Sequence, residues 1–277
     1  MPALVIEGGG MRATYANGVV AAWEEAGYDP FTAVYGTSAG GALAGWWSAG
    51  QAREALETWR YAQDERIMSY KRWLLRRGPL LDHDRLFEIV YQDEHRLDVE
   101  AIKACGHPVV VTLTDADTGQ LHYQDIREGP TLDWLRATGR LPLATGDPVR
   151  VNGHRFVDGG LTEPVPVRKA IEDGASEIVV LLNKPPSGRT SEPWLVEFAV
   201  RNRFPALEGL VAEHHELHAR SLSPAFDPPG GVRVHIIRPE KSLPVHRLTR
   251  DLDQLEESMR AGERDGRAFL ETRGLEA

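Results

Sequence analysis

Three short segments put reactive or ligand-binding groups on what should be tight turns: Gly36-Thr37-Ser38-Ala39-Gly40, Gly8-Gly9-Gly10-Met11-Arg12 and Asp158-Gly159-Gly160. The first sets a serine between an apolar run and a run of small residues. On a strand-to-helix turn, Gly36 and Gly40 let the chain close while Ser38 takes strained backbone angles and projects its hydroxyl. The helix N-terminus beneath it favours developing negative charge. A plainer alternative is a glycine-rich helix packed closely on its neighbour, with Ser38 as its N-cap.

The consecutive glycines of the second segment let backbone amides converge on an anion, either a phosphate or the oxyanion of an acyl-transfer intermediate. A P-loop needs Gly-Lys-Ser/Thr at its end, and this loop has none. Gly8-x-Gly10-x-x-Ala13 fits the dinucleotide fingerprint loosely, but the second strand runs into Tyr35-Gly36 where the ribose-binding acid would stand. A simple tight turn is the other reading. Asp158 falls at the end of an expected strand, where sheets of this kind bind ligands. Taken alone, Asp158-Gly159-Gly160 is also a common turn.

The elements that must hold these turns follow from periodicity. Leu4-Val5-Ile6 reads as a buried strand, and Tyr15, Val19, Val20 and Trp23 as one face of a helix closed by Gly27. Phe31 to Tyr35 is a second strand and Ala39 to Ala49 a second helix. Two successive βα units predict a parallel sheet. An amphipathic helix over 51–62 and mixed helices over 64–104 follow. Val109-Val110-Val111 and Leu121 to Gln124 are strands about an Asp117-Thr118-Gly119 turn, and 131–138 is a short helix. Asn152-Gly153 predicts a hairpin. A helix from Pro164 ends before Gly174, and Ile178 to Leu182 is a buried parallel strand. Beyond a Pro/Ser-rich loop, helices are expected over 194–203 and 206–221, a strand over 232–237, and a charged helix from about 249. This is an α/β chain, read as one domain over 1–277 with a motif-bearing core over about 3–185 and an extension over about 190–277.

At 277 residues and 42% hydrophobic composition the chain can bury one full core. Its net charge of −9, with both signs interspersed, argues against nucleic acid as a partner. Cys105 is the only cysteine, so no intramolecular disulfide forms. The N-terminus reaches Glu7 without a basic lead, and no stretch approaches the roughly 20 apolar residues that span a bilayer. A cytoplasmic protein is the expectation.

Together the three segments resemble the patatin-like phospholipase family: a glycine-rich loop, a GxSxG elbow and a distant Asp-Gly-Gly, in that order. Leu4 to Arg12, and Phe156 to Leu161 followed by Pro164-Val165-Pro166-Val167, are similar to a bacterial branch of it. The resemblance implies a three-layer fold with a mostly parallel central sheet flanked by helices. It also implies a lipid or other carboxyl ester as substrate, Ser38 as nucleophile and Asp158 as its base. The amides around Gly9, Gly10 and Met11, within the stretch from Gly8 to Arg12, would form the oxyanion hole, and Arg12 matches the basic residue that follows the glycines. Hydrolysis would pass through an acyl-enzyme with no metal or organic cofactor. Ala13 departs from the last glycine of the family pattern. Leu141-Pro142-Leu143-Ala144-Thr145-Gly146-Asp147-Pro148 is more polar than the apolar, proline-rich loop of relatives.

Other residues carry weaker signals. His235 and His246 follow Asp158, giving the Ser, Asp, His order of α/β-hydrolases, yet only 37 residues precede Ser38. His214, His215 and His218 have helical spacing suited to a metal, but Glu213 and Glu216 favour a solvated helix face. Lys71-Arg72-Trp73-Leu74-Leu75-Arg76-Arg77 suits transient contact with a lipid surface. An ordinary helix end with dipole-complementing cations is the reading that the acidic chain favours. Trp194 to Leu210 reads either as a flap over the site or as a core-packing helix pair. A non-catalytic acyl-binding module is the alternative of a different class, although a binder would not need all three motifs.

Overall fold

In the computed structural model, which describes residues 1–142, 144–186 and 203–274, an eight-stranded sheet forms the middle layer. Its strands are β1 (Pro2–Ile6), β2 (Ala33–Gly36), β3 (Val109–Asp115), β4 (Leu121–Asp125), β5 (Val149–Val151), β6 (His154–Asp158), β7 (Glu177–Leu181) and β8 (Arg233–Ile237). β8, β7, β1, β2 and β3 run parallel in that order. β4 and β6 pair antiparallel with β3, and β5 with β6. The expected α/β fold with a mostly parallel sheet is what forms. Its antiparallel part is β4 together with the Asn152-Gly153 hairpin, both of whose turn residues take positive φ.

Alternation along β1 and β2 builds two cores. Leu4, Ile6 and Val34 face a cluster holding Tyr15, Val19, Trp23, Leu43 and Trp46. Ala3, Val5 and Tyr35 face the other way, against Val167, Ala170 and Ala225. The first face is covered by α1 (Thr14–Glu25), α2 (Ala39–Ser48) and a long helix, Leu252–Thr272. The second is covered by helices Val167–Glu172 and His214–Phe226. Strands covered on both faces read as unbroken apolar runs, which is why β1 and β7 were legible as buried.

The long helix locks onto α1 by backbone approach. A Cβ on Gly18 would stand 2.1 Å from the Met259 carbonyl oxygen, and one on Gly262 2.0 Å from that of Tyr15. Thr14 Oγ1 donates to Ser258 Oγ at 2.9 Å across the same seam. Asp251 caps the helix by accepting from the Gln254 amide at 3.1 Å.

Two helices depart from expectation. The one expected from Pro164 begins at Val167. Pro164 and Pro166 have no amide to give, and Val165 is instead held at both its amide and its carbonyl by Ser221 Oγ, each at 2.8 Å. The expected helix over 206–221 is two, Pro205–Ala212 and His214–Phe226, parted at Glu213. The helix expected over 194–203, all but its last residue, and residues 194–202 of the segment read as a flap or a core-packing helix pair lie outside the described residues.

The sheet also sets the geometry of the site. β4 occupies one edge of β3 along Val110–Thr114, so β2 and β6 share the other. β2 climbs beside Val109–Val111 while β6 descends opposite Asp115 to Leu113. The two strands therefore meet end to end, Gly36 opposite Val111 and Asp158 opposite Leu113, with Thr112 between them.

Candidate active site

That meeting brings together two residues 120 positions apart: Ser38 Oγ donates to Asp158 Oδ2 at 2.7 Å. Ser38 has φ 56 and ψ −127, the strained elbow that its motif suggested. The tightness of the turn explains both motif glycines. A Cβ on Gly36 would lie 2.4 Å from the Gly40 carbonyl oxygen, and one on Gly40 2.5 Å from that of Ile6. Threonines that no motif marked hold the elbow. The Ser38 amide donates to Thr138 Oγ1 at 2.9 Å, and Thr138 Oγ1 donates to the Thr112 carbonyl at 2.8 Å. Thr37 and Thr112 share a hydroxyl contact at 2.6 Å.

Asp158 is almost fully buried. Its Oδ1 accepts from the Gly160 amide at 2.7 Å. A Cβ on Gly159 would meet the Thr112 carbonyl oxygen at 2.3 Å, so glycine there lets β6 end flush against β3. Burial pushes the Asp158 carboxyl up, and the Ser38 and Gly160 hydrogen bonds and the Arg247 charge pull back only in part; it settles at about 6. A carboxylate so placed is a better base than an ordinary aspartate, yet still ionised at neutral pH.

The glycine loop lies beside the elbow: a Cβ on Gly8 would approach Ser38 Cβ to 3.1 Å. Its amides divide into two groups. Gly8 donates to the Pro164 carbonyl at 3.3 Å, Met11 to the Arg247 carbonyl at 3.2 Å, and Arg12 to the Gly9 carbonyl at 3.3 Å. The Gly9 and Gly10 amides donate to no group among the described residues. Gly10 has φ +58, and a Cβ there would strike the Arg247 carbonyl oxygen at 2.6 Å. Ala13 closes a short 3-10 turn, Gly10–Ala13, that leads into α1.

Ser38 and Asp158 open onto a cavity of about 1080 Å³. One part of its lining is apolar and includes Leu43, Trp46, Ile67, Leu80, Tyr91 and Leu135. Another part comes from late in the chain: Lys184, His214, His218 and Arg247. The solvated-face reading of the histidine cluster therefore holds for His215 and fails for its neighbours. His214 is buried, and the His218 ring nitrogen Nε2 lies 2.9 Å from Glu7 Oε1. Glu7, the residue before the glycines, also accepts from the Asn183 amide at 2.6 Å. Burial pushes the Glu7 carboxyl up, but the His218 hydrogen bond, the Lys184 and His218 charges and the Asn183 amide outweigh it and hold it below the ordinary range. His235 and His246 do not line the cavity. His235 sits on β8 with Nε2 3.3 Å from Glu177 Oε1, and His246 Nδ1 accepts from the Leu248 amide at 3.3 Å.

Sequence comparison places this architecture among known proteins. The patatin-like phospholipase profile matches residues 4–171, and that of a domain of unknown function, DUF6363, matches residues 204–274. The uncharacterized protein YjjU of Escherichia coli (strain K12) is 29% identical over 280 residues, covering 98% of this chain and 78% of its own. Among solved structures, VipD from Legionella pneumophila superposes with a TM-score of 0.44 at 12% identity, over 98% of this chain and 67% of its own.

Proposed function

The chain belongs to the patatin-like phospholipase family, and from that premise we propose that it is a serine acyl-ester hydrolase working through a Ser38–Asp158 dyad. The observation that carries the reading is a strained serine whose hydroxyl donates, at 2.7 Å, to a buried carboxylate lifted to about 6. As Ser38 Oγ attacks an ester carbonyl, its proton passes to Asp158 Oδ2, and the carbonyl oxygen becomes an oxyanion. The Gly9 and Gly10 amides are the donors of the loop left to receive it. Collapse expels the alcohol, which takes the proton from Asp158. Water then repeats the sequence on the acyl-enzyme and frees the acid. No step calls on a metal or a histidine. The apolar part of the cavity suits an acyl chain.

Transient contact with a lipid surface belongs to the same proposal. Tyr70, Leu74 and Leu75 are large apolar side chains at 45%, 77% and 50% exposure. They lie among Lys71, Arg76 and Arg77, and Trp73, Leu74 and Arg76 also line the cavity. Apolar tips ringed by snorkelling cations at a cavity mouth suit an interface from which acyl chains are drawn. Among the described residues no helix is long and apolar enough to cross a membrane. We read residues 1–277 as one working unit, a reading supported by β8, which pairs with β7 from within the second matched segment.

The test is labelling with a fluorophosphonate probe beside hydrolysis of carboxyl esters of graded chain length, with and without chelator. Labelling and turnover should both vanish in Ser38→Ala. Turnover that survives this change in a folded protein, or that a chelator abolishes and a divalent ion restores, would sink the reading.

A further inference from the structure

Lys184, His214, His218 and Arg247 are not used by the chemistry above, yet all line the cavity that holds Ser38. None falls within residues 4–171, the stretch matched by the patatin-like phospholipase profile. They form one electrostatic neighbourhood. Burial, followed by the charges of Arg247, His218, Lys184 and His215, pushes the His214 imidazole down to about 4. His214 is therefore a neutral N–H donor at pH 7 among crowded cations.

The cluster borders the glycine loop on two sides. The Arg247 carbonyl holds the Met11 amide, and the Arg247 charge is felt at Asp158. His218 is tied to Glu7, one residue before Gly8, and the i, i+4 spacing sets His214 on the same helix face. A buried donor here lacks a partner: among the described residues Arg247 Nε has no hydrogen bond. Such a donor is costly unless an acceptor completes it. Of the carboxylates lining the cavity, Glu7 is already engaged by His218 and Asn183, Asp158 by Ser38 and Gly160, and Asp147 is exposed.

We infer that the segment after residue 171 builds a subsite beside Ser38 for a phosphate carried by the acyl donor. The enzyme would thereby favour net-negative acyl donors over neutral ones of the same chain length. A phosphate offers several acceptor oxygens to converging N–H groups, whereas a hydroxyl headgroup brings no charge to meet that of Arg247. This selectivity rests on the hydrolase reading, and the experiment separates the two.

Three monodisperse octanoyl esters below their micelle concentrations are compared: octanoylglycerol, octanoylglycerophosphocholine and octanoylglycerophosphate. In the native protein kcat/KM for the net-negative ester should exceed that for the neutral one by about tenfold or more, with the zwitterion between them. In Arg247→Gln, which keeps the backbone carbonyl that holds Met11, and separately in His214→Gln, the advantage should shrink to about threefold or less. A ratio near one in the native protein, or an advantage intact in both folded variants, overturns the subsite. If it is overturned while Ser38-dependent turnover of octanoylglycerol persists, the hydrolase reading stands without it.

If no ester is turned over and the probe leaves Ser38 unlabelled, the hydrolase reading fails, and calorimetry decides the subsite. Binding of glycerol 3-phosphate but not glycerol, lost in Arg247→Gln, keeps it; no binding removes it. Inorganic phosphate that binds through Arg247 while the three esters show no discrimination would assign the site to the free ion and overturn the donor inference.

Discussion

Two carboxylates stand at the ends of strands on either side of the elbow, Glu7 after β1 and Asp158 at the tip of β6, and both are almost fully buried. Their acidities move in opposite directions. Glu7 is held below the ordinary range by His218, Lys184 and Asn183, while Asp158, given one hydroxyl, one amide and a more distant arginine, rises to about 6. Equal burial thus leaves a well-compensated carboxylate at one strand end and a less compensated one, raised in pKa, at the other. The difference lies in how many compensating partners the neighbouring chain supplies.

The largest expected effect separates the two by activity. Asp158→Asn should lower kcat by about three to four orders of magnitude, and the Ser38→Ala/Asp158→Asn double variant should be little worse than either single one. Glu7→Gln should lose about a hundredfold at most, through displacement of the loop it anchors. Equal losses in steady-state assays would erase the distinction. His235→Ala and His246→Ala should each retain most of the activity.

Next comes the glycine loop that follows Glu7. A methyl group at Gly10 meets both the positive φ and the Arg247 carbonyl oxygen. Gly10→Ala should therefore cost about 10²–10³ in kcat while circular dichroism stays native, the scale of a lost oxyanion donor. Native turnover would remove the loop from the site.

A smaller effect appears in the pH profile. Asp158 must be ionised to take the serine proton, so kcat/KM should fall about tenfold for each pH unit below about 6. A profile flat down to pH 4.5 would count against Asp158 as the base.

The smallest effects concern stability, and they have opposite signs. Folding lifts the Asp158 pKa from 3.8 to about 6, so the ionised group destabilises the fold above that value and costs nothing below its unfolded pKa. Asp158→Asn should stabilise the fold by about 1–3 kcal/mol at pH 7, a gain that disappears by about pH 4. The Glu7 pKa is lower in the folded state than its ordinary 4.5, so its contribution is present above that value and lost as pH falls through the folded one. Glu7→Gln should lower the denaturation midpoint at pH 7. Midpoints of denaturant unfolding across pH that shift in the same direction for both variants would break the comparison.

Much of this site was legible because its demands are local. Ser38 needs glycines two places either side, and Asp158 needs small residues after it, so both leave a short signature. The hairpin at Asn152-Gly153 was legible for the same reason. Thr112 and Thr138 left none: a threonine that braces an elbow 100 residues away in sequence looks like any strand or helix threonine. The division of amides between Gly8, Met11 and Arg12 on one side and Gly9 and Gly10 on the other depends on carbonyls of Pro164 and Arg247, which no local pattern ties to the loop. The histidine cluster shows a further limit. Helical spacing grouped His214, His215 and His218, and Glu213 and Glu216 favoured a solvated face, but a polar face lining a cavity has the same periodicity as one facing water.

The glycine seam between α1 and Leu252–Thr272 has a consequence for the order in which the molecule is made. α1 follows directly from the glycine loop, and its inner face is completed by residues made far later in the chain. The backbones approach so closely that a side chain at Gly18 or at Gly262 would overlap the carbonyl facing it. Until those residues are made, the loop beside Ser38 rests on a half-covered helix, and the Arg247 carbonyl that fixes Met11 is also still to come. A nascent chain therefore carries Ser38 long before the glycine loop beside it is braced.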